Sequence, residues 1–201
     1  GQTSTVFVFE AVSTASGNSS VGNFLDNFRI DCDEDGDGVP DFDDDFPQDP
    51  SRTFASTFPS AGKQILSFED LWPSMGDFDF NDLVLTQQAE ISRVNDELVR
   101  ADFKVSIDAI GAGLRNGIGL LLRNNEGTRL SGDLVSSVSG DISFDPDNEN
   151  GFILTNDIFA SISTYYQNNG FGPSKTPDTL RFTLNFKPGY AGSLYPELYL
   201  F

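Results

Sequence analysis

Two neighbouring stretches of the sequence decide the fold: LVLTQQAEISRV at residues 83–94 and ELVRADFKVSIDAIGAG at residues 97–113. In both stretches polar and apolar residues alternate, and no apolar stripe with a 3.6-residue period is present. Successive side chains of a β-strand point to opposite faces, so each stretch predicts a strand with one buried face. The dipeptide Asn95-Asp96 between them predicts a turn, and together the two stretches predict an antiparallel hairpin.

Strand patterns continue on both sides of this hairpin. They occur in TVFVFEA, NFLDNFRI and KQILSFEDL before it, and in NGIGLLLRN, SVSGDISF, FILTND, LRFTLNFK and ELYLF after it. Residues 156–160 fit the beginning of a short helix, although the following SISTYY, residues 161–166, fits a strand equally well. Many short strands joined by turn-rich loops predict an all-β fold, an antiparallel β-sandwich of jelly-roll type. We expect residues 1–201 to form a single domain, because 30 N-terminal residues cannot bury a core alone.

The stretch DCDEDGDGVPDFDDDFPQDP, residues 31–50, contains ten acidic residues and no basic one. Two like charges 4 Å apart repel by about 4 kcal/mol at an effective dielectric constant of 20. Such a segment is therefore either a solvated acidic linker or a loop that a cation holds together.

The spacing of the acidic residues favours the cation. From Asp33 onward, carboxylates stand at loop positions 1, 3, 5, 9 and 12, with Gly38 at position 6 and Val39 at position 7. This is the ligand order of an oxygen-only Ca²⁺ loop, in which a backbone carbonyl serves at position 7. Pro40 and Pro47 exclude the flanking helices of an EF-hand. The predicted calcium ligands here, which include acidic neighbours for a second ion, are Asp31, Asp33, Asp35, Asp37, Val39, Asp41, Asp43, Asp44, Asp45 and Asp49.

A second calcium site is predicted at a corner of the chain, in FEDLWPSMGDFDFND. No Lys or Arg occurs between Lys63 and Arg93, so the oxygen donors in this corner have no cationic side chain beside them in sequence. The alternative is a polar turn capped by side-chain hydrogen bonds. The candidate ligands are Glu69, Asp70, Asp77, Asp79, Asn81 and Asp82.

Two further loops are candidates for binding. Asp145 and Asp147 alternate in DPDNENG, which fits either an ion site or an ordinary acidic turn. The segment YYQNNGFGPSKTPD, residues 165–178, combines aromatic rings and amides, which suit a recognition loop, although the same rings also suit packing onto a sheet. Its predicted ligand-binding residues are Tyr165, Tyr166, Asn168, Asn169, Phe171 and Lys175.

Several of these motifs resemble known families. DEDGDGVPDFDDDFPQDP resembles a thrombospondin type 3 calcium repeat. Together with LSFEDLWPSMGDFDFNDLVL, ADFKVSIDAIGAG and NGIGLLL, it looks like the LruC-type domain of bacterial surface proteins, over about residues 33–122. The GDFDFNDLV element is also similar to one in ligand-binding domains of large repeats-in-toxin-type adhesins. These resemblances imply a calcium-binding module on the bacterial surface, outside the cell and within a longer protein.

Composition narrows the function further. A net charge of −19 disfavours nucleic acid and anionic membranes as partners, and no apolar run reaches the ~20 residues of a membrane span. The chain has no histidine and one cysteine, Cys32, so it lacks histidine-based triads and imidazole metal sites. We therefore expect a binding module rather than an enzyme.

Three functions remain open. The first is a calcium-dependent adhesin module that grips a protein or peptide ligand on another cell, in adhesion or biofilm formation. The second is a lectin in which calcium binds sugar hydroxyls. The third is a calcium-stiffened spacer, which the absence of an internal repeat disfavours.

Overall fold

The computed structural model describes residues 30–69, 80, 82–111, 113, 115–162 and 176–201. The two N-terminal strands predicted before Ile30 lie outside these residues. So do the corner ligands Asp70, Asp77, Asp79 and Asn81. The predicted recognition residues that lie outside them are Tyr165, Tyr166, Asn168, Asn169, Phe171 and Lys175.

The described chain forms two antiparallel sheets, which confirms the predicted all-β sandwich. The larger sheet has the strand order β1-β3-β4-β9-β6, and β2 also pairs with β3 beyond the end of β1. Its six strands are β1 (Phe54–Phe58), β2 (Gln64–Phe68), β3 (Leu83–Val94), β4 (Glu97–Ile110), β6 (Val135–Gly140) and β9 (Asp178–Phe186).

The smaller sheet has the order β10-β5-β8-β7. After the β3–β4 hairpin the chain crosses between the sheets repeatedly, from β4 to β5, back to β6, over to β7 and β8, back to β9 and finally to β10. The strands of this sheet are β5 (Ile118–Arg123), β7 (Ser143–Phe144), β8 (Gly151–Thr155) and β10 (Tyr195–Leu200).

The β3–β4 hairpin agrees with its sequence pattern. Every second residue of β3 from Leu83 to Ile91 is buried, as is every second residue of β4 from Ala101 to Ile107. Asn95 and Asp96 form the turn with φ of 49° and 66°, the left-handed region that Asn and Asp tolerate better than most residues.

One hydrophobic core lies between the two sheets, within the described residues. The larger sheet contributes Leu85 and the stacked rings of Phe103 and Phe182, whose centroids lie 4.7 Å apart. The smaller sheet contributes Leu120 and Phe152, both fully buried. Burial of these side chains is the main driving force that holds the sheets face to face.

Three local features differ from the simplest sequence expectation. Phe54–Phe58, which no alternation marks, forms edge strand β1, because its hydrogen bonds to β3 need no buried face. SVSGDISF is divided between β6 and β7, which belong to different sheets. Residues 156–160 contain a 3₁₀ turn at Ile158–Ala160, where the Asp157 carboxylate accepts a hydrogen bond from the Phe159 N–H.

No helix in the described part of the chain has the length and apolar character needed to cross a membrane.

Candidate metal centre

Three aspartates of the acidic loop converge on one point. The carboxylates of Asp33, Asp35 and Asp37 each offer an oxygen atom, and these atoms all lie within 4.8 Å of one another. Two glycines with positive φ, Gly36 at 79° and Gly38 at 98°, let the backbone turn between and after them. Elsewhere in the described chain, no three Asp, Glu, His or Cys side chains come together in this way.

Hydrogen bonds from the backbone fix this arrangement. Asp33 accepts from the N–H groups of Gly36 at 2.7 Å and of Gly38 at 3.1 Å, one on each carboxylate oxygen. The Asp41 N–H donates to the Cys32 carbonyl at 2.8 Å, and the Asp41 carboxylate accepts from the Glu34 N–H at the same distance. The loop is thus closed on itself before any ion is considered.

Two carboxylate oxygens in the loop are buried without a hydrogen-bond partner, namely Oδ2 of Asp35 and Oδ2 of Asp44. Asp44 is only 8% exposed, and its other oxygen accepts from the Phe46 N–H at 2.7 Å. A buried charged oxygen without a partner costs several kcal/mol in general, so such atoms call for a cation or a proton.

Electrostatics places Asp44 within range of the cluster. Desolvation raises the pKa of the Asp35 carboxyl above its ordinary value. A backbone hydrogen bond from Asp37 lowers the pKa in part, but repulsion from the charges of Asp37, Asp44 and Asp33 adds to the rise. The donors in the cluster are hard carboxylate oxygens, with neither sulfur nor imidazole. They fit Ca²⁺, and they do not favour zinc or copper.

The loop is anchored to the larger sheet through Thr53, which is 1% exposed. Its hydroxyl donates to Oδ2 of Asp37 at 3.1 Å, and its N–H donates to the Arg93 carbonyl at 2.8 Å. The Asp45 carboxylate accepts a hydrogen bond at 2.8 Å from the N–H of Ala55, which lies at the start of β1. These hydrogen bonds therefore connect the acidic loop to the edge of the larger sheet. Sequence reasoning missed Thr53, since nothing in its neighbourhood marks it.

The remaining predicted ligands of the loop are more peripheral. Asp31 and Asp43 are exposed, and Val39 is half-buried with its N–H donating to Asp37 at 2.8 Å. Asp49 is bonded to protein groups: it accepts from the Ser51 hydroxyl at 2.5 Å and from Nε of Arg52 at 2.8 Å. The ligand roles of these residues stay predictions.

The contacts of Asp49 lead to a pH-dependent expectation. Hydrogen bonds from Ser51 and Arg52 lower its pKa to about 2. Because the folded pKa is depressed, the stabilisation is present above the ordinary value near 4 and is lost as the pH falls towards 2. The Asp49 side chain is 36% exposed, so solvent screening limits the contribution to about 1 kcal/mol or less.

We therefore expect Asp49→Asn to lower the free energy of unfolding slightly at pH 7, and to leave it unchanged near pH 2. Urea unfolding of both proteins at several pH values measures this. Calcium stoichiometry is the control. Loss of an ion in Asp49→Asn would mean that Asp49 is a calcium ligand, and not only the ion-pair partner of Arg52.

The second predicted site is described only at its rim. Glu69 is 9% exposed and Asp82 is half-buried. The Asp82 carbonyl accepts from the Gly111 N–H at 3.0 Å, which ties this corner to the end of β4. The other four candidate ligands lie outside the described residues, and the site stays a prediction.

The Asp145–Gly151 loop is built as a turn. Asp145 accepts from the Asp147 N–H at 2.9 Å, and the Asp145 N–H donates to the Gly151 carbonyl at 3.0 Å. Tyr199 of β10 hydrogen-bonds with both Asp145 and Asn148, and burial, reinforced by the Asp145 charge, raises the pKa of its phenol. These contacts favour an ordinary acidic turn at Asp145 and Asp147, and the ion site there stays a prediction.

A cleft of about 490 Å³ opens between the ends of β7, β8 and β9. Its lining includes Ile142, Asn156, Ser161 and Thr179. Residues 163–175, which carry most of the predicted recognition segment, lie outside the described chain.

Comparison with protein-family models, with curated proteins and with solved structures found no match to this chain. The family resemblances drawn from its motifs therefore remain expectations.

Proposed function

We propose that this chain is a calcium-binding β-sandwich module that presents a ligand-binding surface. The observation that carries the calcium part is the acidic loop itself. Asp33, Asp35 and Asp37 converge within 4.8 Å, and Asp35 and Asp44 each bury an oxygen atom that has no hydrogen-bond partner. An ion with several oxygen ligands would satisfy these atoms together.

Calcium bound there would act on the sheet as well as on the loop. The ligand Asp37 is hydrogen-bonded to Thr53, and Thr53 is bonded through its backbone to Arg93 at the end of β3. An ion would thus replace a cluster of repelling charges by a crosslink at the edge of the larger sheet. Binding only to the folded chain stabilises it by linkage.

The wider role rests on what the motif resemblances imply, and calcium chemistry and charge agree with it. Calcium loops of sensor proteins bind calcium more tightly than those of extracellular modules, which need the millimolar free calcium found outside the cell. A structural calcium site in this chain would be occupied there. We propose a bacterial surface adhesin module, part of a longer protein, that binds a protein or peptide ligand on another cell. An excess of 31 acidic over 12 basic residues opposes nucleic acid as a partner.

Panning the calcium-loaded chain on peptide and glycan arrays, with a chelator control, tests this function. Peptide binding that disappears with the chelator supports the proposal. Selective glycan binding would replace it with a lectin function, and no binding to either array would leave only the calcium-stiffened module. The sequence candidates Tyr166→Ala, Asn169→Ala and Lys175→Ala then test whether residues 165–178 form the ligand site.

A further inference from the structure

Strand β1 lies at the end of the larger sheet, and within the described chain it pairs only with β3. Successive N–H groups of an antiparallel strand point to opposite edges, so the N–H groups of Ala55 and Thr57 lie on the same edge. The Ala55 N–H donates to the Asp45 carboxylate, which identifies this edge as the outer one, away from β3. A free strand edge is a template on which a further strand can pair.

Asp45 occupies this outer edge in the way that a neighbouring strand would. Its N–H donates to the Thr53 carbonyl at 3.0 Å, and its carboxylate accepts from the Ala55 N–H at 2.8 Å. In an antiparallel ladder, one residue of a partner strand makes such a pair of bonds with its own N–H and C=O. A ligand that replaces Asp45 therefore needs a donor and an acceptor at the spacing of a peptide unit, a requirement that an extended polypeptide meets.

Strand β1 has little protection of its own against strand addition. Its sequence, FASTF, contains no charged residue and no proline, which are two of the features that protect edge strands. Four of its five residues are exposed. Among the described residues, no hydrogen bond covers the outward backbone of Thr57. The edge is therefore covered by the acidic loop at Asp45 and open beyond it.

The position of Asp45 depends on the proposed calcium site. Asp44, directly before it, is 8% exposed and has one carboxylate oxygen without a hydrogen-bond partner. Thr53, whose carbonyl holds the Asp45 N–H, donates its hydroxyl to Asp37 at 3.1 Å. Loss of calcium would leave the carboxylates of the loop facing one another, and their repulsion would withdraw Asp45 from the edge.

We propose that the acidic loop is a calcium-held cover of the β1 edge, and that this edge accepts an extended basic polypeptide strand when calcium leaves. The basic character follows from charge complementarity. Residues 31–50 contain ten acidic residues and no basic one, and the opened loop stays attached to the edge at Thr53. The nearby cation Arg52 is already paired with Asp49 at 2.8 Å.

Calcium and the added strand would oppose each other, because the strand and Asp45 use the same backbone groups of β1. Each must then weaken the binding of the other by the same factor. This inference rests on the calcium part of the proposed function. It differs from the proposed ligand site in its dependence on calcium, which is the opposite one.

The test uses the whole chain and a fluorescent eight-residue peptide of alternating Lys and Thr. We expect the wild type to bind this peptide at least about tenfold more tightly in excess chelator than in millimolar calcium. Asp45→Ala should bind it in calcium about as tightly as the wild type does in chelator, because the variant lacks the carboxylate that covers the Ala55 N–H.

Thr57→Pro tests whether the peptide pairs with β1. It removes an outward N–H without removing a hydrogen bond to β3 or to Asp45, and proline is tolerated on edge strands at such positions. In chelator it should raise the Kd of the peptide at least about fivefold through a lost backbone hydrogen bond. The matched control Thr57→Val keeps the N–H and should change the Kd less than about twofold. Melting curves in calcium confirm that both variants are folded.

Amide hydrogen exchange measured by NMR tests the cover without a substitution. The Ala55 amide should exchange faster in chelator than in calcium, whereas the Val105 amide, in the middle of β4, should remain well protected in both. Equal exchange at Ala55 with and without calcium would refute the cover.

Equal affinities of Thr57→Pro and Thr57→Val would overturn the docking edge, because attraction to the acidic loop alone would then explain binding. Dimers of the wild type in chelator would show that a second copy takes the edge, and would overturn the choice of a basic partner. A melting temperature that does not respond to calcium would refute the calcium part alone. Peptide binding by Asp45→Ala and not by the wild type would in that case still support a cover, one that needs no ion.

Discussion

Removing calcium is expected to lower the melting temperature of this chain by roughly 5–10 °C. At a free calcium concentration about 100 times the Kd, one ion that binds only the folded state contributes about 2.7 kcal/mol. For a chain of 150–250 residues, each kcal/mol shifts the midpoint by about 2–4 °C. Additional ions would increase the effect.

Thermal unfolding followed by circular dichroism, with calcium and with excess chelator, measures this shift. Restoring calcium should restore the midpoint. Magnesium should restore it poorly, because Mg²⁺ demands a tight octahedral shell and gives up its waters reluctantly. Melting curves that coincide with and without chelator would contradict a stabilising ion.

The second large effect is expected in the core, for Phe152→Ala. Phe152 is fully buried in β8 between the two sheets. Truncating a buried phenylalanine typically costs 3–5 kcal/mol through lost transfer free energy and the cavity left behind. At about 2–4 °C per kcal/mol, that range corresponds to a fall in the melting temperature of roughly 6–20 °C.

Phe144→Ala is the matched control. Phe144 pairs with Phe152 in the β7–β8 ladder, and their ring centroids lie 5.4 Å apart, but Phe144 is 47% exposed. Its truncation should cost less, because only about half of this residue is buried on folding. Equal losses for the two variants, measured by urea unfolding at fixed calcium, would mean that the core does not lie between the sheets as described.

The strands of the hairpin could be predicted because burial of one face requires apolar and polar residues to alternate in the sequence. In β3 and β4 one face is inside and one is outside, so Leu85 and Val105 alternate with polar neighbours. Strand β1 carries no such mark. Four of its five residues are exposed, and its extended form depends on hydrogen bonds to β3, which are distant in sequence.

In the acidic loop, likewise, the features set by local sequence could be predicted and those set by distant contacts could not. The spacing of Asp33, Asp35 and Asp37 around two glycines predicts their convergence, since local geometry decides it. Burial of Asp44 could not be predicted, because Asp43 and Asp45 beside it are identical in type and exposed. The contact between Thr53 and Asp37 depends on the pairing of the chain after the loop with β3, and no local pattern contains that information.

The most direct test of the calcium site is native mass spectrometry combined with melting of Asp44→Asn. Asp44 is 8% exposed and has one oxygen without a partner, and an amide at this position removes a buried charge. If calcium binds there, the variant should lose at least one ion that the wild type retains. It should respond less to calcium on melting, and in chelator it should melt no lower than the wild type, because the uncompensated charge is gone. Equal ion counts and equal calcium-dependent shifts in the two proteins would contradict the proposed centre.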